Sequence, residues 1–327
     1  MNFADRLDAA VQSKGNPVCV GLDPRFDQLP KKIVDSALKE HGMTAKAVAE
    51  AYYAFNVSIL DALSDLVPVC KPQVAFYEEL GWEGMRVYEA TVRYARRRGM
   101  LVISDAKRGD IGTTAQAYAR AHLGFTRNPK ERPLEEFVAD VKSDTWNVAG
   151  FDADALTVNP YMGADTLEPF LKVCDANDRG IFVLVKTSNK GSGDLQDLKL
   201  EGGKTVMERV ADMVHTLGQP RKGSTGLSSV GAVVGATYPE QARKLRELMP
   251  DALFLIPGYG AQGGTAQDAA VGFRKDGRGA IVNNSRGIIF AYKQEAYAKH
   301  GERDFAGAAR AAAQKMADEL NAVIRRS

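Results

Sequence analysis

The sequence predicts a (β/α)8 barrel, and three observations carry that expectation. Eight short apolar runs rich in Val, Ile and Leu recur along the chain, helical patterns fill the intervals, and polar side chains gather at the C-terminal ends of the runs. At 327 residues the chain is long enough for one large barrel or for two average domains. With no repeat, low-complexity tract or linker in view, one barrel domain over residues 1–327 is expected.

The runs, in order, are Pro17–Leu22 (PVCVGL), Val67–Gln73 (VPVCKPQ), Leu101–Lys107 (LVISDAK) and Ala155–Asn159 (ALTVN). The second half adds Ile181–Lys186 (IFVLVK), Val230–Gly235 (VGAVVG), Leu253–Gly258 (LFLIPG) and Ala280–Ser285 (AIVNNS). They are nearly continuous in apolar residues, the pattern of parallel strands covered on both faces. Between them, Met85, Tyr88, Val92 and Ala95 share a helical face that ends in Arg96, Arg97, Arg98 and Gly99. A basic last turn followed by glycine is a helix stop. Leu167, Phe170 and Val173 form a similar stripe, as do Val206, Val210, Met213 and Leu217, and a last helix is expected over about Phe305–Ile324. A doubly wound open sheet is the alternative, but GLDPR after the first run lacks the GxGxxG turn of a dinucleotide fold. Leu123–Val148, charged and outside the minimal barrel, reads as a helical insertion after the third strand.

Composition narrows the function classes. Hydrophobic residues make up 45% and charged ones 26%, enough for a large core. A net charge of +2 gives no overall basic field for nucleic acid, so an anion site must be local. Cys19, Cys70 and Cys174 show no metal or CxxC spacing and read as small buried hydrophobes in a reducing cytosol. The N-terminus is charged and amphipathic rather than a signal core, and no uncharged stretch approaches the ~18 residues of a membrane span. A soluble, cytoplasmic protein is expected. The four histidines, His41, His122, His215 and His300, lie away from strand ends and read as surface or helix residues. With no metal-ligand cluster, nucleophile elbow, P-loop or dinucleotide fingerprint, no metal or other cofactor is expected. The chemistry is left to Lys and Asp.

In a barrel the active site lies at the C-terminal ends of the strands. There the sequence offers Asp23, Lys71, Asp105-Ala-Lys107-Arg-Gly-Asp110, Asn159, the Thr187–Ser192 loop, Gln262 within a glycine-rich turn, and Arg286 after the eighth run. Asp105 and Lys107 are two residues apart and so share a face. With Lys71 from the neighbouring strand they can form an alternating Lys–Asp–Lys–Asp array. The plainer alternative is a buried salt-bridge network or a solvated loop. Burying an isolated charge costs several kcal/mol, and the charges on neighbouring strands favour the array. The glycine-rich PGYGAQGG with Arg286 reads as a phosphate site, where Gln262 donates and a guanidinium can bind two oxygens. An ordinary βα loop is the alternative there.

These residues resemble the orotidine 5′-phosphate decarboxylase family, in particular its longer bacterial branch, from VGLDPR at Gly21 to NNSRGI at Ile288. SDAKRGDIGTTAQAYA matches the family's D-x-K-x-x-D-I signature through Asp105, Lys107, Asp110 and Ile111. KPQVAFYE, SNKGS, PGYGAQGG and NNSRG supply the remaining pieces. The resemblance implies a cofactor-free decarboxylation of orotidine 5′-phosphate to uridine 5′-phosphate in pyrimidine biosynthesis. It implies that Lys107 protonates C6, that Asp105 sits beside the departing carboxylate, and that Lys71 and Asp110 complete the array. Asp23, Lys71 and Thr114 would contact the ribose, Ile111 the substrate, Ser188 the pyrimidine, and Gln262 and Arg286 the phosphate. Asp110 and Thr114 would come from the second subunit of a homodimer. SNKGSGD (Ser188–Asp194) would serve as part of a lid. The resemblance also weighs against a Mg2+-dependent keto-gulonate phosphate decarboxylase, which carries an acidic residue where this chain has Ile103. A Schiff-base lyase fits poorly, because flanking carboxylates favour a charged, non-nucleophilic lysine. A catalytically silent phosphate-binding barrel remains as the non-enzyme alternative, which an activity assay separates.

Overall fold

All eight runs pair as parallel strands, and the eighth returns to the first to close the barrel. The computed structural model describes residues 1–124, 150–260 and 263–324. Its strands are β1 Val18–Leu22, β2 Val69–Pro72, β3 Leu101–Arg108, β4 Ala155–Val158, β5 Gly180–Lys186, β6 Ser228–Val234, β7 Ala252–Ile256 and β8 Ala280–Asn284. Sequence neighbours are sheet neighbours throughout, as in a (β/α)8 barrel. Strand ends depart from the sequence runs by one or two residues. Part of the reason is proline, which cannot donate to the ladder: β1 and β2 begin after Pro17 and Pro68, and β7 stops before Pro257.

The alternation of side chains along each strand builds two cores. Cys19, Val69, Ile103, Ala155, Phe182, Leu253, Leu255 and Ile281 point into the barrel and form one buried cluster. Their neighbours Val20, Cys70, Val102, Leu156, Val183, Phe254 and Val282 face the helices in a second, larger one. That double burial explains why the runs are continuously apolar.

The amphipathic N-terminus is a helix, Phe3–Lys14, laid across the N-terminal mouth. Phe3, Ala4 and Leu7 join the interior cluster, and the Phe3 ring stands edge-on to Phe182 with centroids 6.0 Å apart. Burying Phe3 and Leu7 contributes about 1.5–3 kcal/mol each. Asp5, buried, accepts from the backbone N–H and hydroxyl of both Ser224 and Thr225 at 2.7–3.0 Å. One end of the barrel is thereby sealed and the other left for chemistry.

The helix read from Met85 to Ala95 spans Gly81–Arg97, with Gly99 beyond it at φ 78°. The Val206 stripe lies on Val206–Gly218, capped by a reciprocal Thr205–Glu208 box, and the last helix is Phe305–Ile324. Apart from Leu123 and Gly124, the insertion expected over Leu123–Val148 lies outside the described residues. The three cysteines are buried and unpaired. His41, His122 and His215 sit on helices, but His122 is not a surface residue. It is buried with Nδ1 2.8 Å from Ser104 Oγ, and burial, with Arg108 nearby, pushes its pKa down to about 3. Among the described residues no helix is long and apolar enough to cross a membrane.

Candidate active site

On β2, β3, β4 and β8 the inward positions turn polar two residues up from the inner apolar layer, while β5, β6 and β7 keep Leu184, Val233 and Leu255 on the cavity wall. Val69 is followed by Lys71 and Gln73, Ile103 by Asp105 and Lys107, Ala155 by Thr157, and Ile281 by Asn283 and Ser285. These side chains, with Asp23 beyond β1, line a cavity of about 410 Å³ at the C-terminal end of the barrel. That size suits a small-molecule site.

Asp105 is its electrostatic centre. Lys71 Nζ lies 2.5 Å from one carboxylate oxygen and Lys107 Nζ 2.7 Å from the other. Gln73 Nε2 donates to the first oxygen at 3.1 Å and Thr157 Oγ1 to the second at 2.9 Å. Burial pushes the Asp105 carboxyl up, but the ammoniums of Lys71 and Lys107 outweigh it and hold the group well below the usual carboxylate range. For buried Lys71 the signs reverse: desolvation pushes the ammonium down, and Asp105 and Asp23 together hold it above its ordinary value. Buried Asp105 and Lys71 thus stabilise each other's ionised forms.

Lys107 differs from its partners because its side chain is 44% exposed and opens into the cavity. The backbone arranges this. Between Ser104 and Arg108 the pairing of β3 with β4 slips, and Lys107 takes φ 50°, a left-handed conformation that costs a non-glycine residue about 1 kcal/mol. Its N–H donates to Thr157 Oγ1 at 2.9 Å, so one threonine secures both the strained backbone and the Asp105 carboxylate.

The rest of the wall is equipped for a polar, anionic ligand. Asp23 Oδ1 is buried with no hydrogen-bond partner among the described residues. Ser188, beyond β5, lines the cavity. After β7 the chain turns through Gly258, Gly260 and Gly263 at φ 97°, 70° and 92°, and Gly264 N–H closes back on Gly258 O at 3.1 Å. Only glycine makes such a turn without strain. Arg286 stands exposed beside it, with no side-chain hydrogen bond or ion pair among the described residues. A second opening of about 580 Å³ continues past Asp23, Gln73 and Lys107 to Arg25 and Arg108, giving the entrance positive charge. Among the described residues no group of three or more His, Cys, Asp or Glu side chains is arranged to hold a metal ion.

The cavity thus brings together Asp23, Lys71, Asp105, Lys107, Ser188 and Arg286 of the expected residues. Gln262 lies outside the described residues. Asp110, Ile111 and Thr114 do not line the cavity of their own chain. Asp110 accepts from Ile111 N–H at 2.8 Å, Ile111 is 61% exposed, and Thr114 is exposed on the helix Gly112–Leu123. Gln73, Thr157 and Asn283 were not expected. All three sit two positions beyond an inward residue, and a strict count along the runs would have found them.

The family model described as "Orotidine 5'-phosphate decarboxylase / HUMPS family" matches residues 16–128 and 138–300. An orotidine 5′-phosphate decarboxylase of Rhodopirellula baltica is 46% identical over 321 residues, covering 98% of this chain and 99% of the relative. One from Clostridium acetobutylicum is 38% identical over 320 residues, with 98% and 99% covered. The solved structure of Leishmania donovani OMP decarboxylase superposes with a TM-score of 0.70 at 30% identity, all of both chains being covered.

Proposed function

This chain belongs to the orotidine 5′-phosphate decarboxylase family, and from that premise we propose that Lys107 is the proton donor of a direct, cofactor-free decarboxylation. The reaction converts orotidine 5′-phosphate to uridine 5′-phosphate in pyrimidine biosynthesis. The observation that carries the assignment is the Lys71–Asp105–Lys107 array, held at 2.5 and 2.7 Å inside a cavity of substrate size.

The bond from C6 to the carboxyl carbon breaks, CO2 leaves, and the electron pair stays on C6. A fixed ammonium there lowers the energy of the developing negative charge without reorganising solvent. Lys107 Nζ, on the cavity side of the array, supplies that charge and then passes a proton to C6. Solvent restores the lysine. Asp105, kept ionised by Lys71, Gln73 and Thr157, sets a negative charge where the substrate carboxylate enters and so favours its departure as neutral CO2. The buried Asp23 oxygen and Lys71 take the ribose hydroxyls, Ser188 the pyrimidine, and Arg286 with Gln262 the phosphate. Phosphate binding remote from the reacting carbon holds the base against the array.

The site is shared between two copies of a homodimer. Asp110, Ile111 and Thr114 turn outward from their own cavity, and Met162 packs beside Gly109 while Tyr161 and Met162 stay 79% and 44% exposed. An apolar surface next to outward-facing polar residues suits a second copy, into whose cavity Asp110 and Thr114 reach. Three unpaired cysteines accord with a cytoplasmic location. The test is decarboxylation of orotidine 5′-phosphate, followed by loss of pyrimidine absorbance after chelator treatment and dialysis. Full activity is expected. A strict Mg2+ requirement overturns the cofactor-free reading.

A further inference from the structure

Lys186, the last residue of β5, has no solvent exposure, yet it does not line the cavity. The pairing of β5 with β6 slips between Leu184 and Lys186, two residues of β5 answering one of β6, which takes Lys186 out of the inward series. Its ammonium meets both oxygens of Asp197 at 2.8 Å and stands 4.4 Å from the centre of the Tyr238 ring. A buried lysine must be paired, and this partner comes from eleven residues along the chain. The ion pair therefore folds the Thr187–Asp197 loop back onto the strand end. Inside the loop, Gln196 repeats the clasp. Its Oε1 accepts from Thr187 N–H at 3.0 Å and its Nε2 donates to Thr187 Oγ1 at 2.9 Å.

The segment so anchored carries Ser188. From the β6 side, Thr237 Oγ1 donates to Ser188 O and the Tyr238 hydroxyl to Asn189 O, both at 3.3 Å. Gly235 lets that side approach: a Cβ there would stand 2.9 Å from Ser188 Cα. Ser188 is thus gripped through its backbone from both sides, while its hydroxyl makes no hydrogen bond among the described residues.

We propose that Lys186 is a positioning residue for pyrimidine recognition, its ion pair with Asp197 fixing the loop that presents the Ser188 hydroxyl to the base. This rests on the reading of Ser188 as a pyrimidine contact. The test compares binding of uridine 5′-phosphate with binding of ribose 5-phosphate, which lacks only the base. Lys186→Met and the charge-free double variant Lys186→Met/Asp197→Asn should each lose about tenfold in affinity for uridine 5′-phosphate, the worth of one well-placed hydrogen bond. Ribose 5-phosphate should bind as to the wild type. Ser188→Ala should show the same selective loss, and adding Lys186→Met to it should cost nothing more. The double variant leaves no buried charge unpaired, so its thermal midpoint reports whether the fold survives. Wild-type uridine 5′-phosphate affinity in the Lys186 variants, or an equal loss for both ligands, overturns the proposal while Ser188 keeps its role. If Ser188→Ala binds both ligands normally, the Ser188 reading falls and this proposal with it.

Discussion

Asp105 and Lys107 stand on the same face of β3 with carboxylate and ammonium 2.7 Å apart, one buried and the other open to the cavity. The second oxygen of the carboxylate is held by Lys71 at 2.5 Å. The two lysines therefore do different work and should fail differently when removed. Lys107→Ala takes away a partly exposed group and should lower kcat at least ~10³-fold with little change in stability. Lys71→Ala strips a buried carboxylate of its buried partner and should also destabilise the fold by about 3 kcal/mol. Steady-state kinetics and urea unfolding of the two variants check this. Comparable activity in Lys107→Ala and wild type contradicts it.

Arg286 projects at the cavity rim without a side-chain partner among the described residues, so its removal should leave folding untouched. Arg286→Ala is expected to lose about a hundredfold or more in kcat/KM through the missing charge-assisted contact to phosphate. With a truncated substrate lacking phosphate, added phosphite dianion should restore part of the wild-type rate. An Arg286→Ala enzyme with normal kcat/KM means that the phosphate lies elsewhere.

The N-terminal plug gives a pH signature far from the chemistry. Burial raises the Asp5 carboxyl, but the hydrogen bonds from Thr225 and Ser224 outweigh it and bring the pKa down to about 2 from 3.8. A depressed folded-state pKa contributes stability that is fully present above the unfolded value and is lost as pH falls through the folded one. The stability difference between wild type and Asp5→Ala should therefore be constant above about pH 5 and shrink as pH falls from about 4 towards 2. Denaturant unfolding at several pH values measures it. A difference that grows on acidification is the contrary result.

Barrel, strand order and most of the cavity were legible because burial on both faces leaves a continuous apolar signal. Charges such as Lys71 and Asp105 interrupt that signal only where chemistry requires them. Thr157 and Gln73 were harder to see, since a lone threonine or glutamine beside an apolar run looks like an ordinary strand residue. Their roles appear only when inward positions are counted from Ala155 and Val69. Neither the left-handed backbone of Lys107 nor the slip at Lys186 has a sequence mark, because both are set by pairing with the next strand. The plugging of the barrel by Phe3 and Leu7 was hidden for a similar reason: an amphipathic helix does not announce which surface it covers.

If Lys71, Asp105 and Lys107 act as one unit with Asp110 of the partner subunit, as proposed above, two variants that are inactive alone should rescue each other when mixed. Lys107→Ala and Asp110→Ala homodimers should each be nearly inactive, since a unit fails when any member is removed. After subunit exchange, each mixed dimer has one site with both lesions and one with neither. Random pairing makes about half the dimers mixed, so activity should recover to about a quarter of wild type. A mixture that stays inactive, although mixed dimers are shown to have formed, contradicts the shared array and assigns Asp110 to its own subunit.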